Sequence, residues 1–396
     1  VMCPSYRVTK EEKDLVRGRA NTLRLALSNQ LPKDSFVSKE MYETMELCVS
    51  CKACQRECPM SVDMAKMKSE FLSHYFKKFS MSIKDRVISN MPKLIWLLKI
   101  VSPIFNKIKD LPIISEIIRK FGYATEREMP VVQNQFPLKE IYKSQIKSEN
   151  KVILFADTFN INFEIQNLMY SIKVLNKFGY EVIIPSFDND NLKRPLCCGR
   201  TYISYGQLDK AEKELNRFVN YILINGYYDM PIVGIEPSCL LTFSDEFKTL
   251  KNVKNKDKLK NKFYLLEEFV LEQINNGNKV KLNKFNQNVL IHGHCHQKSQ
   301  DRMKGLTGLL SKLNIDNKMI DSSCCGMAGS FGYSSKHYDV SKKMANISLI
   351  PAINNSNEKD FIIANGTSCR HQISDLSEKK GKHVSELLFK IFETVN

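Results

Sequence analysis

Four cysteines near the N-terminus follow the spacing C-x2-C-x2-C-x3-C-P. They are Cys48, Cys51, Cys54 and Cys58, and Pro59 follows the last of them. In ferredoxins this spacing lets three thiolates bind one iron–sulfur cubane while the fourth cysteine serves a second cluster. A structural zinc knuckle is the alternative, but zinc sites usually take two pairs of ligands from separated loops. The motif therefore predicts a [4Fe-4S] cluster bound by the first three cysteines.

The fourth ligand of that cluster should come from a second Cys-Pro pair, because the last cysteine of each ferredoxin motif serves the other cluster. Cys3-Pro4 is such a pair. It has the form of the end of a first motif whose other cysteines would precede Val1, so we expect the sequence to be part of something longer. Cys58 is then either the ligand of a second site whose remaining ligands are absent from this chain, or a spare thiol.

The distribution of the cysteines favours metal or redox chemistry over a disulfide framework. Twelve cysteines fall mostly in tight groups, and no signal peptide precedes them. This pattern is typical of a reducing compartment, so we expect a cytoplasmic protein, with peripheral attachment to the inner face of the membrane as an option. The chain has 396 residues, of which 43% are hydrophobic and 26% charged, as in a soluble globular protein with two or three domains.

The net charge of +16 favours acidic partners or an anionic surface. Scattered lysines account for much of this charge, so a solvated lysine-rich surface explains it equally well. A lysine-rich stretch at 247–262 lacks the interleaved aromatic residues that stack on bases, and a surface loop is the simpler explanation. We therefore predict no nucleic-acid partner.

Residues 1–80 are predicted to form a small α-helical cluster domain. Residues 9–12 have the pattern of a capping box, and apolar residues follow at helical spacing over 16–27. A second helix should deliver Cys48, and a third should follow Cys58. These helices would carry the ligand loop between them.

Residues 81–150 are predicted to be a helical connector followed by a linker. The part at 81–125 alternates between basic and apolar residues, and no stretch reaches the roughly 18 apolar residues that a membrane span requires. It is either an interfacial amphipathic segment or a face covered by another domain, and the second is favoured. Pro130, Pro137 and many polar residues indicate the linker at 126–150.

From residue 151 onward, strands alternate with helices in an order that occurs twice. This alternation predicts two α/β units with parallel sheets, at 151–285 and 286–396, with a single helix covering about 298–313. Each cysteine of this half follows the carboxyl end of a strand, where open parallel sheets bind their ligands. The cysteines of the first unit are Cys197, Cys198 and Cys239, and those of the second are Cys295, Cys324, Cys325 and Cys369.

The two units are unequal in their thiols. Aligning their first strands places Thr158 opposite Cys295, so the first unit has three cysteines where the second has four. Four thiols suit a cubane or a related cluster, and we expect the second unit to hold metal. The alternatives are a zinc ion bound by Cys295 with His294 or His296, inert buried thiols, and a strained vicinal disulfide.

Several motifs resemble the iron–sulfur half of large FAD-linked D-2-hydroxyacid dehydrogenases, which act on D-lactate, D-2-hydroxyglutarate or glycolate. The motifs lie at 1–6, 9–26, 47–54, 236–241, 292–297 and 324–333. The second half is also similar to the cysteine-rich "CCG" domain found in the iron–sulfur subunits of glycolate oxidase and anaerobic glycerol-3-phosphate dehydrogenase, and in heterodisulfide reductase. The resemblance implies a ferredoxin-type domain followed by a duplicated CCG domain.

The sequence departs from this family in two respects. The flavin half is absent, and neither unit ends in the paired C-x-x-C with which heterodisulfide reductases bind a non-cubane cluster. Cys239 and Cys369 each stand alone, which argues against that cluster.

The resemblance implies an oxidoreductase whose FAD lies on an upstream half or a partner subunit. The chain would pass electrons one at a time from reduced flavin to a quinone or another respiratory acceptor. It contains no G-x-G-x-x-G fingerprint, and we assign substrate oxidation to none of its residues. The alternative function is a disulfide reductase of the heterodisulfide reductase type. His294 and His296 could be ligands, gate protons or reach a substrate, but a structural role is favoured.

Overall fold

The computed structural model describes residues 3–109, 111–133, 141, 145–185, 194–278 and 280–392, without the side chains of 96–99. Pro137, which the sequence places in the linker, lies outside these residues, as do the first two residues of the motif at 1–6.

Helices surround the cysteine loop in the first eighty residues. Their bounds are Pro4–Thr9, Val16–Leu27, Lys39–Glu46, Ala53–Glu57 and Met64–Lys78. The Ser38 hydroxyl caps the third helix by accepting from the Met41 N–H at 3.2 Å, and the Asp63 carboxylate caps the fifth by accepting from the Lys66 N–H at 3.1 Å. Helices therefore precede Cys48 and follow Cys58, as the apolar spacing predicted.

The predicted capping box at 9–12 is wrong. Thr9 is the last residue of the helix Pro4–Thr9, and the helix Val16–Leu27 begins after Leu15 without a side-chain cap. The Thr9 hydroxyl instead donates to Asp14 Oδ2 at 2.7 Å. The reason is that Pro4 occupies the first turn of a helix, where proline is favoured, and this short helix incorporates Thr9.

The described part of the connector includes the helices Ile83–Ser89, Met91–Ile108 and Pro112–Lys120. Side chains of Ile100, Ile104, Ile113 and Ile117 are exposed on the second and third of them. Among the described residues, no helix combines the length and the apolar character needed to cross a bilayer.

The first α/β unit contains a four-stranded parallel sheet. Its strands are β1 (Lys151–Phe155), β2 (Glu181–Ile183), β3 (Ile232–Gly234) and β4 (Phe263–Leu265), in the order β2-β1-β3-β4. The sequence did not predict β4, because a strand of three residues after a lysine-rich stretch is too short to show periodicity. The helices of this unit are Thr158–Asn162, Ile165–Lys177, Arg200–Ser204, Leu208–Ile224, Pro237–Ser244, Glu246–Thr249 and Leu266–Asn275.

The second unit contains a three-stranded parallel sheet. Its strands are β5 (Val289–Ile291), β6 (Asn317–Met319) and β7 (Phe361–Ile363), in the order β6-β5-β7. Its helices are Cys295–Ser299, Met303–Lys312, Tyr338–Asn346, Leu349–Asn354, Thr367–Leu376 and Val384–Ile391. The helix predicted over about 298–313 is confirmed at Met303–Lys312. Its predicted beginning is wrong, because Asp301 adopts a φ of 55° and separates this helix from Cys295–Ser299.

Helices of the two units pack directly against each other. The helix Ile165–Lys177 contacts the last helix Val384–Ile391, and the helix Leu266–Asn275 contacts Met303–Lys312. One buried apolar cluster includes side chains from both units, among them Leu168 of the first. This packing fixes the carboxyl ends of both sheets relative to each other.

Candidate metal centres

The loop that carries the first cysteines is curled by two residues in left-handed conformation. Ser50 has a φ of 51° and Lys52 a φ of 61°, values that residues other than glycine rarely adopt. They flank Cys51, so the backbone leaves right-handed helical and extended geometry on both sides of this residue. The local conformation explains how cysteines only three residues apart can face one centre.

The Cys51 thiol of this loop lies near those of Cys3 and Cys48, and the Cys54 thiol lies near that of Cys48. Burial and the neighbouring thiols of Cys295, Cys3 and Cys48 raise the pKa of Cys51 well above its ordinary value. Burial, with Cys48 nearby, also raises the pKa of Cys54. Thiols with raised pKa values ionise readily only when a metal supplies positive charge. Four cysteine thiols are the donor set of a [4Fe-4S] cluster.

Cys58 stands at the end of the same loop. Its N–H donates to the Cys54 carbonyl at 2.9 Å, and its carbonyl accepts from the Ser61 N–H at 2.8 Å. These bonds fix the backbone of Cys58 just after the short helix Ala53–Glu57, which contains Cys54.

The second unit gathers its four cysteines at the carboxyl ends of its strands. The Cys324 thiol lies beside those of Cys295 and Cys325, and the Cys325 thiol lies beside that of Cys369. Interaction with the Cys324 thiol lowers the pKa of Cys325 well below its ordinary value and also lowers the pKa of Cys295. Two of the four thiols are thus disposed to ionise, as metal ligands must.

His292 joins this group, although the sequence did not point to it. Ligand atoms of His292, Cys325 and Cys369 lie within 4.8 Å of one another, and all three residues are buried. The His292 Nδ1 is 2.8 Å from the Ser322 hydroxyl, and burial lowers the pKa of His292, so the imidazole is neutral and able to bind a metal. The sequence signal that could have indicated His292 is its position directly after strand β5, at the end of the sheet where the cysteines also lie.

His294 and His296, which the sequence did consider, make protein contacts. The His294 Nδ1 accepts from the His296 N–H at 3.2 Å, and the His294 ring packs against Gly366, where an added Cβ would lie 2.4 Å from its Cδ2. The His296 Nε2 is 3.1 Å from both the Ser50 carbonyl and an Arg200 nitrogen. These contacts give each histidine a structural role.

The first unit repeats the cysteine turn of the second. The Gly199 N–H donates to Cys197 Sγ at 3.4 Å, and the Gly326 N–H donates to Cys324 Sγ at the same distance. Both glycines have positive φ, of 76° and 85°, so the two Cys-Cys-Gly turns share one conformation that favours glycine. The duplication predicted from the sequence is therefore also present in the backbone.

The thiols of the first unit have different surroundings. The Cys198 thiol lies beside those of Cys197 and Cys239. Thr158 begins a helix capped by Asp157, whose pKa burial and the Glu236 carboxylate raise to about 7. Among the residues that the structure describes, this unit contains no group of metal-ligating atoms as compact as that of His292, Cys325 and Cys369.

Buried glutamates of the first unit bind groups of the second. Glu236 Oε2 accepts from the Thr367 N–H at 2.8 Å, so the Glu-Pro-Ser-Cys motif joins the two units. Glu267 Oε1 accepts from Gln297 Nε2 at 2.7 Å and from Asn365 Nδ2 at 2.9 Å, and burial raises the pKa of Glu267 to about 7. These bonds lie next to the second cysteine site and hold its loops.

The first loop lies directly against the cysteine site of the second unit. Cys51 and Cys295 pack in one apolar cluster with the buried Val49 and Cys324. On the same side, Arg56 Nη1 donates to the Lys298 carbonyl at 2.8 Å. The two candidate centres are therefore neighbours, and thiols from both line their boundary.

A buried network of charges ties the loop to the first unit as well. Lys52 Nζ forms ion pairs with Asp245 and with Glu246, the latter at 2.6 Å. Glu246 also pairs with Arg200, which follows the Cys-Cys-Gly turn and contacts His296. No sequence pattern indicated this network, because its partners are far apart along the chain.

Comparisons with known proteins agree with this geometry. Residues 1–62 match the family model of the 4Fe-4S dicluster domain, and residues 289–374 match that of the cysteine-rich domain abbreviated CCG. Both types of domain are therefore present in this chain. The predicted fold class, a helical ferredoxin-type domain followed by α/β units with parallel sheets, is confirmed, and the CCG match lies in the second of these units.

The chain is also similar to curated dehydrogenases. It is 21% identical to D-2-hydroxyglutarate dehydrogenase of Pseudomonas putida over 98% of the chain, and 19% identical to that of Escherichia coli K12 over 99%. It is 25% identical to the C subunit of anaerobic glycerol-3-phosphate dehydrogenase of Escherichia coli K12 over 63% of the chain and 61% of that relative. The predicted resemblance is confirmed, and these relatives are dehydrogenases.

The similarity covers only part of the larger relatives. The chain spans 41% of the length of the Pseudomonas putida enzyme and 42% of that of the Escherichia coli enzyme.

Proposed function

We propose that this chain is the iron–sulfur electron-transfer module of an FAD-linked 2-hydroxyacid dehydrogenase. It would receive electrons from reduced flavin on another domain or subunit and pass them to a quinone or another respiratory acceptor. The observation that carries the proposal is the contact between Cys51 of the 4Fe-4S domain and Cys295 of the CCG domain. It supports a continuous path through two thiol-lined centres.

Cys3, Cys48, Cys51 and Cys54 would hold one [4Fe-4S] cluster. When bound, such a cluster supplies one-electron transfer, which a flavin that carries two electrons needs in order to reduce a one-electron acceptor. The residues of the chain orient the thiols. Lys68 Nζ contributes by donating to the Cys48 carbonyl at 2.7 Å, which fixes the start of the loop.

Cys295, Cys324, Cys325 and Cys369 would hold a second metal or cluster, with His292 as a further ligand. Cys197, Cys198 and Cys239 would hold metal weakly or not at all, because Thr158 offers a hard hydroxyl that stays protonated near neutral pH. Cys58 would serve the second cluster of a dicluster domain. In this proposal the cluster domain comprises residues 1–80, the connector and linker 81–150, and the two α/β units 151–285 and 286–396.

The ligands of the first cluster can be tested on protein purified without oxygen, by counting iron and sulfide and recording EPR spectra. Cys3→Ser should shift or abolish the signal of the first cluster as Cys51→Ser does, and Cys58→Ser should leave that signal intact. A variant Cys58→Ser that loses the signal while Cys3→Ser keeps it would reverse the assignment. Protein that binds no iron would refute the electron-transfer function.

The asymmetry of the two α/β units can be tested by the same metal analysis. Replacing Cys324 and Cys325 by Ala should remove metal from the CCG domain and slow electron delivery to an added quinone analogue. The matched change at Cys197 and Cys198 should cost little metal. Equal loss from both pairs would indicate one site shared by the two units, and no loss from either would make this half a scaffold.

A further inference from the structure

The guanidinium group of Arg19 is fully buried beside the thiol of Cys3, with 0% of its side chain exposed. All five of its N–H donors have acceptors. Nε donates to the Thr44 carbonyl at 2.9 Å, and Nη1 donates to Cys3 Sγ at 3.3 Å and to the Asp14 carbonyl at 2.6 Å. Nη2 donates to the Ser5 hydroxyl at 3.1 Å and to Asp14 Oδ1 at 3.3 Å. Every N–H donor of this guanidinium group thus has an acceptor, and one of these acceptors is the sulfur atom of Cys3.

The hydrogen bond from Arg19 Nη1 is the one that would stabilise a Cys3 thiolate. The Ser5 oxygen is 3.2 Å from Cys3 Sγ, but its single hydroxyl hydrogen donates to the Asp14 carbonyl at 3.0 Å. The Asp14 carboxylate, which binds the guanidinium group, also accepts from the Thr9 hydroxyl at 2.7 Å. This second bond holds the carboxylate in place. Arg19 therefore cannot turn away from the sulfur without losing several bonds.

We propose that Arg19 raises the reduction potential of the [4Fe-4S] cluster by donating a hydrogen bond to the Cys3 thiolate. Reduction adds one electron, taken from reduced flavin or from a chemical reductant, and neither breaks nor forms a covalent bond. The added negative charge on the sulfur atoms strengthens the bond from a buried cation, so the reduced state gains more stabilisation than the oxidised state. Arg19 is a positioning residue that acts through Cys3, and the inference rests on the proposed function because it takes Cys3 to be a ligand.

A redox titration followed by EPR measures this effect directly. Arg19→Gln should decrease the equilibrium constant for reduction at least tenfold, which is about 59 mV for a one-electron couple. Arg19→Lys should decrease it less, since lysine keeps the charge but lacks the planar fork. The shift should be constant across the neutral pH range, because a guanidinium does not titrate there.

The matched control is Arg17→Gln. Arg17 lies two residues earlier on the same helix, is 78% exposed and pairs with Glu12 at 2.8 Å. Its removal should leave the reduction potential unchanged. Arg19→Gln leaves the Asp14 carboxylate buried without its cation. The double variant Arg19→Gln with Asp14→Asn removes both charges and so avoids a buried unpaired carboxylate. Its cluster should also have a lower reduction potential than that of the wild-type protein.

The outcomes separate this inference from the proposed function. If iron counting finds no cluster in the wild-type protein, both fail. If Cys3→Ser changes the EPR signal but the Arg19 variants and the double variant keep the wild-type potential, the function stands and the inference is overturned. Equal shifts in the Arg17 and Arg19 variants would also overturn it, because they would indicate a general charge effect.

Discussion

Removing the charge of Lys52 should loosen the loop that carries the first cysteines. Lys52 is 1% exposed, and its ammonium group pairs with Asp245 and Glu246. The change Lys52→Met keeps most of the volume and removes the charge. The two carboxylates keep other cations, because Asp245 also pairs with Lys66 and Glu246 with Arg200.

The size of the effect follows from these remaining partners. Breaking a buried ion pair costs about 3–5 kcal/mol when it strands a charge. Here each carboxylate keeps another cation, so the loss of stability should approach the contribution of one hydrogen bond to a charged group, about 2 kcal/mol. A change of this size multiplies the equilibrium constant for opening the loop by about 30.

Hydrogen–deuterium exchange with mass spectrometry reports this opening. In protein prepared without oxygen, amides of residues 48–58 should exchange about 30-fold faster in Lys52→Met than in wild type. Lys66→Met is the matched control, since Lys66 also pairs with Asp245 but is 30% exposed and should contribute less than about 1 kcal/mol. Unchanged protection in Lys52→Met, or equal changes in both variants, would refute the role of the buried pair.

Two further predictions concern the α/β units. Gly326→Ala should destabilise the cysteine turn and reduce metal binding by the CCG domain, because its Cβ would lie 2.4 Å from the Ser341 carbonyl. Gly329→Ala, which has positive φ but no atom within 4 Å of the added Cβ, should cost only about 1 kcal/mol in thermal unfolding, and equal losses would contradict the steric argument. Glu164 is the second case: burial raises its pKa, but the Arg370 guanidinium outweighs this and lowers the pKa to about 2. The pair therefore stabilises the native state above the ordinary carboxyl pKa of about 4.5, and this contribution is lost as the pH falls from there toward 2. Glu164→Gln should lower stability at neutral pH and flatten its pH dependence in that window, which acid titration followed by circular dichroism would show.

The sequence predicted the elements whose signal is local. The spacing of Cys48, Cys51 and Cys54 indicated a ligand loop, and the helices around it follow from apolar residues at helical intervals. The strands β1, β3, β5 and β7 are short runs of buried apolar residues, which a parallel sheet requires on both faces.

The remaining features depend on contacts between distant residues. The pair of Lys52 with Asp245 joins residues 193 positions apart, and no local pattern distinguishes this lysine from the exposed ones. His292 was overlooked because its role depends on where Cys325 and Cys369 are brought by other strands. The motif around Arg19 was visible in the sequence, but only the fold reveals that its guanidinium reaches Cys3.

The contacts of the first loop also bear on why the two α/β units differ. Toward the second unit the loop presents the thiol of Cys51, which packs in one apolar cluster with Cys295. Toward the first unit it presents the ammonium group of Lys52, which meets carboxylates. Electron transfer requires a short distance between two centres, and the contact of Cys51 with Cys295 provides it. The ion pairs of Lys52 only hold the loop in place. We therefore infer that the unit with four thiols is the one that exchanges electrons with the first cluster, and that the unit with Thr158 in place of a cysteine anchors the loop.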